Sequence, residues 1–204
     1  MALTIPKNEV GNFELCPEGN HVACCYAIID LGTHEESYEG QPPKPKRKIF
    51  IQWEIPDELR TDGTPFRIGK TYTLSSNEKA TMRKDLESWR GAKFSEDDLG
   101  NFRLKNLIEK ACMLNVVPSE RDGKTYANIA SIARMPKGVP APKLSEHHLF
   151  FSLDDDEFNA DMLERVGPRL REQIEASPEY QNVMSNLAAV NNGSSKEAMI
   201  DIPF

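Results

Sequence analysis

The segment from Lys48 to Ile55 carries apolar residues at every second position, with polar residues between them except at Phe50, and no other pattern constrains the fold as strongly. Successive side chains of a β-strand point to opposite faces of a sheet, so alternate residues of this segment share a face. The face that we predict to be buried carries Ile49, Ile51, Trp53 and Ile55. The opposite face carries Phe50, which we expect to be exposed as a lone aromatic. A sheet with one buried side follows.

Four further segments are rich in strand-forming residues and are bounded by turn residues: His21 to Asp30, Lys70 to Leu74, Cys112 to Val117 and Lys124 to Ala133. A capping-box pattern at Ser75 to Glu78 predicts a helix that runs to about Arg90, with Met82, Leu86 and Trp89 on one buried face, and ends at Gly91. Ser95, with Asp98 three residues on, predicts a second, short helical stretch through Leu99, Phe102, Leu104, Leu107 and Ile108. Asp122 and Gly123 predict a hairpin turn between the last two strands. Five short strands with a helix between the third and fourth is the element order of the OB-fold. We therefore predict a mainly β fold with α, an OB-like five-stranded barrel.

The chain beyond Arg134 changes in composition, which predicts how it is divided. Residues 135–143 are rich in proline and are expected to form a linker after an OB-like domain at 1–134. Residues 144–204 are expected to form an acidic, partly helical tail, with a helix from about Asn159 to Val166 and others begun by Pro168 and Pro178. Asn191 to Ser195 is expected to be a flexible spacer before the last residues.

The negative charge of the chain is concentrated in that tail. The net charge is −7, but residues 1–142 hold 20 Lys+Arg and 20 Asp+Glu, whereas residues 143–204 hold 5 and 12. A neutral body is compatible with a local basic groove, and an acidic tail on a nucleic-acid binder can screen that groove or capture partners.

The sequence carries few signals for a cellular compartment or for a catalytic or metal site. There is no apolar run long enough to span a membrane and no signal peptide, so we expect a cytoplasmic protein. The four cysteines lack CxxC spacing and are expected to be reduced, buried thiols. Nucleotide-binding and hydrolase motifs are missing, and an acidic run such as Asp154 to Glu157 is usually a solvated segment. We expect no enzymatic activity, no cofactor and no metal site. A magnesium-dependent nuclease is kept as the least favoured alternative.

A surface that binds a single strand without reading its sequence needs cations for the phosphates and aromatic faces for the bases. The basic segment around Pro42, Pro43 and Pro45 is expected to be an extended, exposed loop. The DNA-binding candidates are Lys44, Lys46, Arg47, Lys48, Phe50, Arg67, Lys70, Tyr72, Lys124 and Tyr126. Two alternatives stay open: the loop as a charged connector that protects a sheet edge, and Phe50 as a packing contact with the loop or the tail.

The chain ends in Asp201, Ile202, Pro203 and Phe204. This tip resembles the C-terminal tip of bacterial single-stranded DNA-binding proteins. An exposed phenylalanine with its own carboxylate fits an apolar pocket edged by a basic residue, and the proline limits the entropy lost on docking. The resemblance implies that the tip recruits replication or recombination proteins. A single aspartate stands before Ile202 where a run of aspartates is usual, which implies weaker or different partner contacts.

The body, mainly over His21 to Gly138, also resembles phage proteins described as single-stranded DNA-binding or as uncharacterised neighbours of recombinases, through stretches such as Lys79 to Gly91 and Gly123 to Ile132. The resemblance implies a protein that coats single-stranded DNA during phage replication or recombination in the cytoplasm of the bacterial host. The sequence leaves open both self-association into a homo-oligomer and the alternative of an adaptor, which would bind host replication proteins through the tip without touching DNA.

Overall fold

A computed structural model describes residues 14–37, 40–154 and 157–194. The strands in these ranges are β1 (Gly19–Glu36), β2 (Lys44–Leu59), β3 (Pro65–Thr73), β4 (Ala111–Arg121), β5 (Lys124–Ala133) and β6 (Leu149–Phe151). The helices are α1 (Thr81–Arg90), α2 (Glu96–Asn101), α3 (Ala160–Glu164), α4 (Pro168–Glu175) and α5 (Pro178–Ser194), with a 3-10 helix at Leu104–Leu107. The prediction of a mainly β protein with some helix is confirmed.

The sheet is organised around the long strand β1. The strand order is β3-β2-β1-β4-β5, with every neighbour antiparallel, and β6 pairs in parallel with β1. One edge of β1 is shared, because β4 pairs with Gly19 to Cys24 and β6 pairs with Ala27 to Ile29. Register shifts between Cys25 and Ala27 and between Asp30 and Gly32 mark irregularities of the kind that bend a strand. The sheet is open, since no ladder joins β3 to β5 within the described ranges.

The inner face of the sheet packs against α1, as the alternation of β2 predicts. Ile49, Ile51, Trp53 and Ile55 are buried in one cluster with Met82, Leu86 and Trp89 of the helix. The rings of Trp53 and Trp89 lie 5.7 Å apart between centroids. The helical spacing of the three α1 residues therefore marks a buried stripe, as expected.

The outer face of β1 and β2 is covered by the chain that follows residue 143, which the sequence did not predict. A second core cluster joins Ile29 and Leu31 of β1 to Leu149 and Phe151 of β6 and to Ile174 of α4. The described part of the predicted tail thus packs on the sheet as an integral layer, instead of following a body that ends at Arg134. The apolar residues of β6, α3 and α4 are short runs within a charged segment, which is why composition alone suggested a tail.

Two element boundaries differ from the prediction for identifiable reasons. β2 begins at Lys44, so Pro45 lies within a strand. Here β2 is still an edge, because its pairing with β3 starts only at Lys48, and an edge tolerates the missing N–H of a proline. α5 continues to Ser194, four residues into the predicted spacer, since extending an existing helix costs little.

The helix ends follow local chemistry. The predicted capping box at Ser75 to Glu78 is wrong: α1 begins at Thr81 after Ala80, which makes no side-chain capping bond. Gly91 does close α1 in the left-handed conformation, at φ 74°. Ser95 and Asp98 form the capping box expected for α2. No helix in the described residues is both long enough and apolar enough to cross a membrane.

Candidate nucleic-acid interface

The predicted loop cations lie on the first residues of β2 and are largely paired with acids. Lys46 Nζ lies 3.4 Å and Lys48 Nζ 2.7 Å from the two carboxylate oxygens of Glu36, on the strand opposite. Hydrogen bonds from these lysines, Lys48 above all, lower the pKa of Glu36. Lys44, the first residue of β2, is exposed. The segment is basic, but part of its charge is neutralised within the chain.

Arg47 bridges the sheet and the segment after β6. Its guanidinium donates to both carboxylate oxygens of Asp30, and Nη2 also donates to Asp154 Oδ1 at 2.8 Å. The backbone N–H of Leu153 donates to the same Asp30 carboxylate at 3.3 Å. These hydrogen bonds raise the pKa of Arg47, so the group is a permanent cation with two carboxylate neighbours.

Phe50 and Arg67, two candidates on the outer face, are used for packing. The ring of Phe50 lies over the backbone of Gly69 and packs against the second core cluster. Arg67 donates to Glu54 and Glu146, and its guanidinium carbon lies 3.7 Å from the ring centroid of Tyr26. Phe50 is therefore only partly exposed, and of the two interpretations left open the packing contact with the chain after residue 143 fits the structure.

Lys70 and Tyr72 lie on the inner face, opposite the other candidates. Lys70 Nζ lies 2.7 Å from Asp85 Oδ2 of α1, and the Tyr72 hydroxyl donates to the same oxygen at 2.9 Å. Tyr72 is only 4% exposed, and burial raises the pKa of its hydroxyl. Its ring has no free face for a base, so this pair fixes α1 against β3.

Lys124 and Tyr126 lie on an uncovered part of the outer face, at the β4–β5 hairpin. The predicted turn residues Asp122 and Gly123 adopt positive φ, 53° and 69°, as a tight hairpin turn requires. Tyr126 is 45% exposed, and Lys124 beside the turn is exposed. Neutral polar side chains surround them on β1, β4 and β5: Asn20, Asn115, Ser119 and Asn128. Glu120 of β4 pairs with Thr125, so by the alternation of the strand it belongs to the other face of the hairpin, and Tyr126 offers an exposed ring for base stacking.

The ten candidates therefore form no single patch. The loop cations lie at the C-terminal end of β1, where Glu36 pairs with Lys44. The hairpin turn lies beyond the other end, since Gly19 pairs with Val116 and β4 continues to Arg121. A single strand of DNA that contacted both groups would have to run along the length of β1.

A cleft of about 660 Å³, which the sequence did not reveal, opens beside the start of β2. Its wall includes the half-buried rings of Phe102 and Phe150, with Lys105 Nζ 4.9 Å from the centroid of Phe150. The cations at the cleft are Arg47, Arg103 and Lys105, and the acids are Asp30, Asp154 and Glu157. The alternation Phe102-Arg103-Leu104-Lys105 is the sequence signal for this wall, but the apolar residues of this segment also fit the helical stretch that the sequence predicts.

The partner-binding candidates Asp201, Ile202, Pro203 and Phe204 lie outside the described residues. Among the residues that the structure does describe, no three His, Cys, Asp or Glu side chains are grouped so that they could hold a metal ion.

Comparisons with known proteins assign no family. No protein-family model matches the chain, and no curated protein matches it significantly.

Proposed function

We propose that this protein binds single-stranded DNA during phage DNA replication or recombination and recruits partner proteins through its C-terminal tip. The strand order is the observation that carries the proposal. An OB-fold opened between its third and fifth strands would have the order β3-β2-β1-β4-β5, with a helix between β3 and β4. α1 contacts both β3 and β5, so it spans the gap between these two strands.

The surface proposed to hold the strand combines the β4–β5 hairpin with the start of β2. Tyr126 offers a stacking face, while Lys124, Lys44 and Lys46 offer charge for phosphates. Affinity would come from backbone charge and stacking, without base reading, in the cytoplasm of the bacterial host. Because one OB unit covers only about 4–16 nucleotides, tight coating would also require cooperativity or self-association.

Fluorescence anisotropy of a labelled oligo-dT, titrated with the purified full chain, tests this function. If about five phosphates are neutralised, affinity should fall roughly a hundredfold between 50 and 200 mM salt, and duplex DNA should not compete. Lys124→Ala with Tyr126→Leu should weaken binding, whereas Lys84→Ala on the exposed side of α1 should not. Absence of binding at low salt would overturn the proposal.

The pairing of the loop cations favours a second candidate function. Lys46, Arg47 and Lys48 are all ion-paired with acids of this chain, which reduces the field available to a phosphate. An adaptor that binds host replication proteins through its tip, and does not touch DNA, would need no free cations here. Replacing the four loop cations with alanine should abolish binding of single-stranded DNA if the protein binds DNA. If the protein is an adaptor, the same change should leave its binding of partner proteins unchanged.

A further inference from the structure

The cleft beside β2 has the size and lining of a ligand site. Its volume of about 660 Å³ lies within the range of about 300–1,000 Å³ usual for small-molecule pockets. Ile28, Ile49 and Leu74 form apolar walls, and the half-buried ring of Phe150 lies at its side. Apolar walls and a half-buried aromatic ring suit a flat, weakly polar group such as a nucleobase, which would displace the Lys105 ammonium from its place over Phe150.

Three cations from two separate parts of the chain line this cleft. Arg47 comes from β2, whereas Arg103 and Lys105 come from the segment between α2 and β4. Arg47 keeps a bonded partner in Asp30, which is largely buried, while Arg103 is exposed. A guanidinium and an ammonium that line the same pocket can both bind a phosphate.

Two exposed carboxylates pair with two of the cleft cations. Asp154 Oδ1 lies 2.8 Å from Arg47 Nη2, and Glu157 Oε1 lies 3.5 Å from Lys105 Nζ. Asp154 is 65% exposed, so its ion pair contributes little to stability and exchanges at low cost. These acids balance the cleft cations within the chain when no strand is bound.

We propose that the cleft holds one nucleotide of a bound single strand, whose phosphate replaces Asp154 on Arg47 and Glu157 on Lys105 while its base stacks on Phe150. The inference rests on the proposed function and assigns to it a site of which, among the predicted DNA-binding residues, only Arg47 is a part. Arg47 connects the cleft to the DNA-binding surface proposed above, because it lines the cleft and follows Lys44 and Lys46 on β2.

Removing the competing carboxylates tests the site directly. Asp154→Asn with Glu157→Gln should tighten oligo-dT binding about three- to tenfold at 50 mM salt, because the phosphate no longer displaces a charge. The matched control is Glu164→Gln with Glu172→Gln, which makes the same change in net charge at exposed positions of α3 and α4. It should change the affinity less than twofold. Arg103→Ala with Lys105→Ala should weaken binding at least fivefold.

An oligonucleotide without bases separates stacking from charge. Phe150→Leu should weaken binding of oligo-dT about fivefold and leave binding of an abasic oligonucleotide of equal length unchanged. If the wild type binds oligo-dT but the Asp154–Glu157 variant matches its control, the cleft is not the site and the proposed function stands. If the wild type does not bind oligo-dT at 50 mM salt, the proposed function and this inference both fail.

Discussion

Arg67 of β3 donates two hydrogen bonds, 2.9 and 2.7 Å long, to one carboxylate oxygen of Glu54 on the neighbouring strand β2. Glu54 is 0% exposed, and it also accepts from the backbone N–H of Ser145 at 2.6 Å and from the Ser145 hydroxyl at 2.8 Å. The carboxylate therefore joins two strands to the segment that precedes β6. A buried charge is tolerated only when it is paired and hydrogen-bonded, as here.

Arg67→Met should destabilise the protein by about 3 kcal/mol, because it leaves the buried Glu54 carboxylate without its counter-charge. Urea unfolding followed by tryptophan fluorescence measures the loss. Lys46→Ala is the control, since it breaks a partly exposed pair with Glu36 and should cost less than about 1 kcal/mol. Equal effects of the two substitutions would mean that Glu54 is not held as a buried ion.

Gly69→Ala should destabilise the protein by about 1–3 kcal/mol, because the packing at this position is already tight. A Cβ at Gly69 would lie 2.0 Å from Cζ of Phe50. The same substitution at Gly100, where an added Cβ would point into open space, should be neutral or stabilising. In a Phe50→Ala background the Gly69→Ala change should cost much less, and additive effects in this cycle would contradict the contact.

The four cysteines should react with thiol reagents only after unfolding. Cys16, Cys24, Cys25 and Cys112 are all buried. Burial raises the pKa of Cys16 and of Cys24 to about 11, so the reactive thiolate is scarce at pH 8. Titration with a chromogenic disulfide at pH 8 should count close to no thiols in buffer and all four in urea. Rapid reaction of one thiol in buffer would show that its strand opens locally.

Deleting Asp201 to Phe204 should leave DNA binding unchanged or slightly stronger and abolish capture of partner proteins, since the tip is expected to dock in a partner's pocket. Anisotropy with oligo-dT and affinity capture from bacterial lysate measure the two activities separately. Phe204→Ala should reproduce the loss of capture with the full chain length. Weaker DNA binding after the deletion would contradict a separate role for the tip.

A chain that ends at Arg134 should aggregate, because it lacks the residues that cover the outer face of β1. Leu149, Phe151 and Ile174 are buried in the second core cluster, so their removal exposes Ile29 and Leu31. A chain that ends at Ala189 removes none of these residues and should remain monodisperse in gel filtration. A soluble, folded 1–134 fragment would refute the role assigned to the C-terminal layer.

Sequence predicted the parts of this fold that depend on local chemistry. The alternation at Ile49, Ile51 and Trp53 specified the inner face, and Gly91, Ser95 and Pro168 marked helix ends that the structure confirms. These signals come from periodicity and from single-residue backbone preferences. The second core could not be predicted in this way, because β6 has three residues and pairs with β1 across more than a hundred positions.

The candidate site was predicted less well than the fold. Residue type indicated Lys124 and Tyr126, which are exposed, but it also indicated Tyr72 and Arg67, which serve packing. Whether a cation is free depends on acids that are distant in the chain, as Asp154 is from Arg47. Composition does not carry this information, so the cleft appeared only when its walls were assembled in three dimensions.

The late position in the chain of the residues that cover the outer face of β1 also affects how the protein folds during synthesis. β5 ends at Ala133, whereas Ile174, which helps to cover β1, is translated about 40 residues later. At about 5–20 residues per second, the apolar outer face of β1 stays uncovered for roughly 2–8 s on the ribosome. Chaperones that bind nascent chains, and the speed at which the codons of this interval are translated, would therefore affect the yield of native protein.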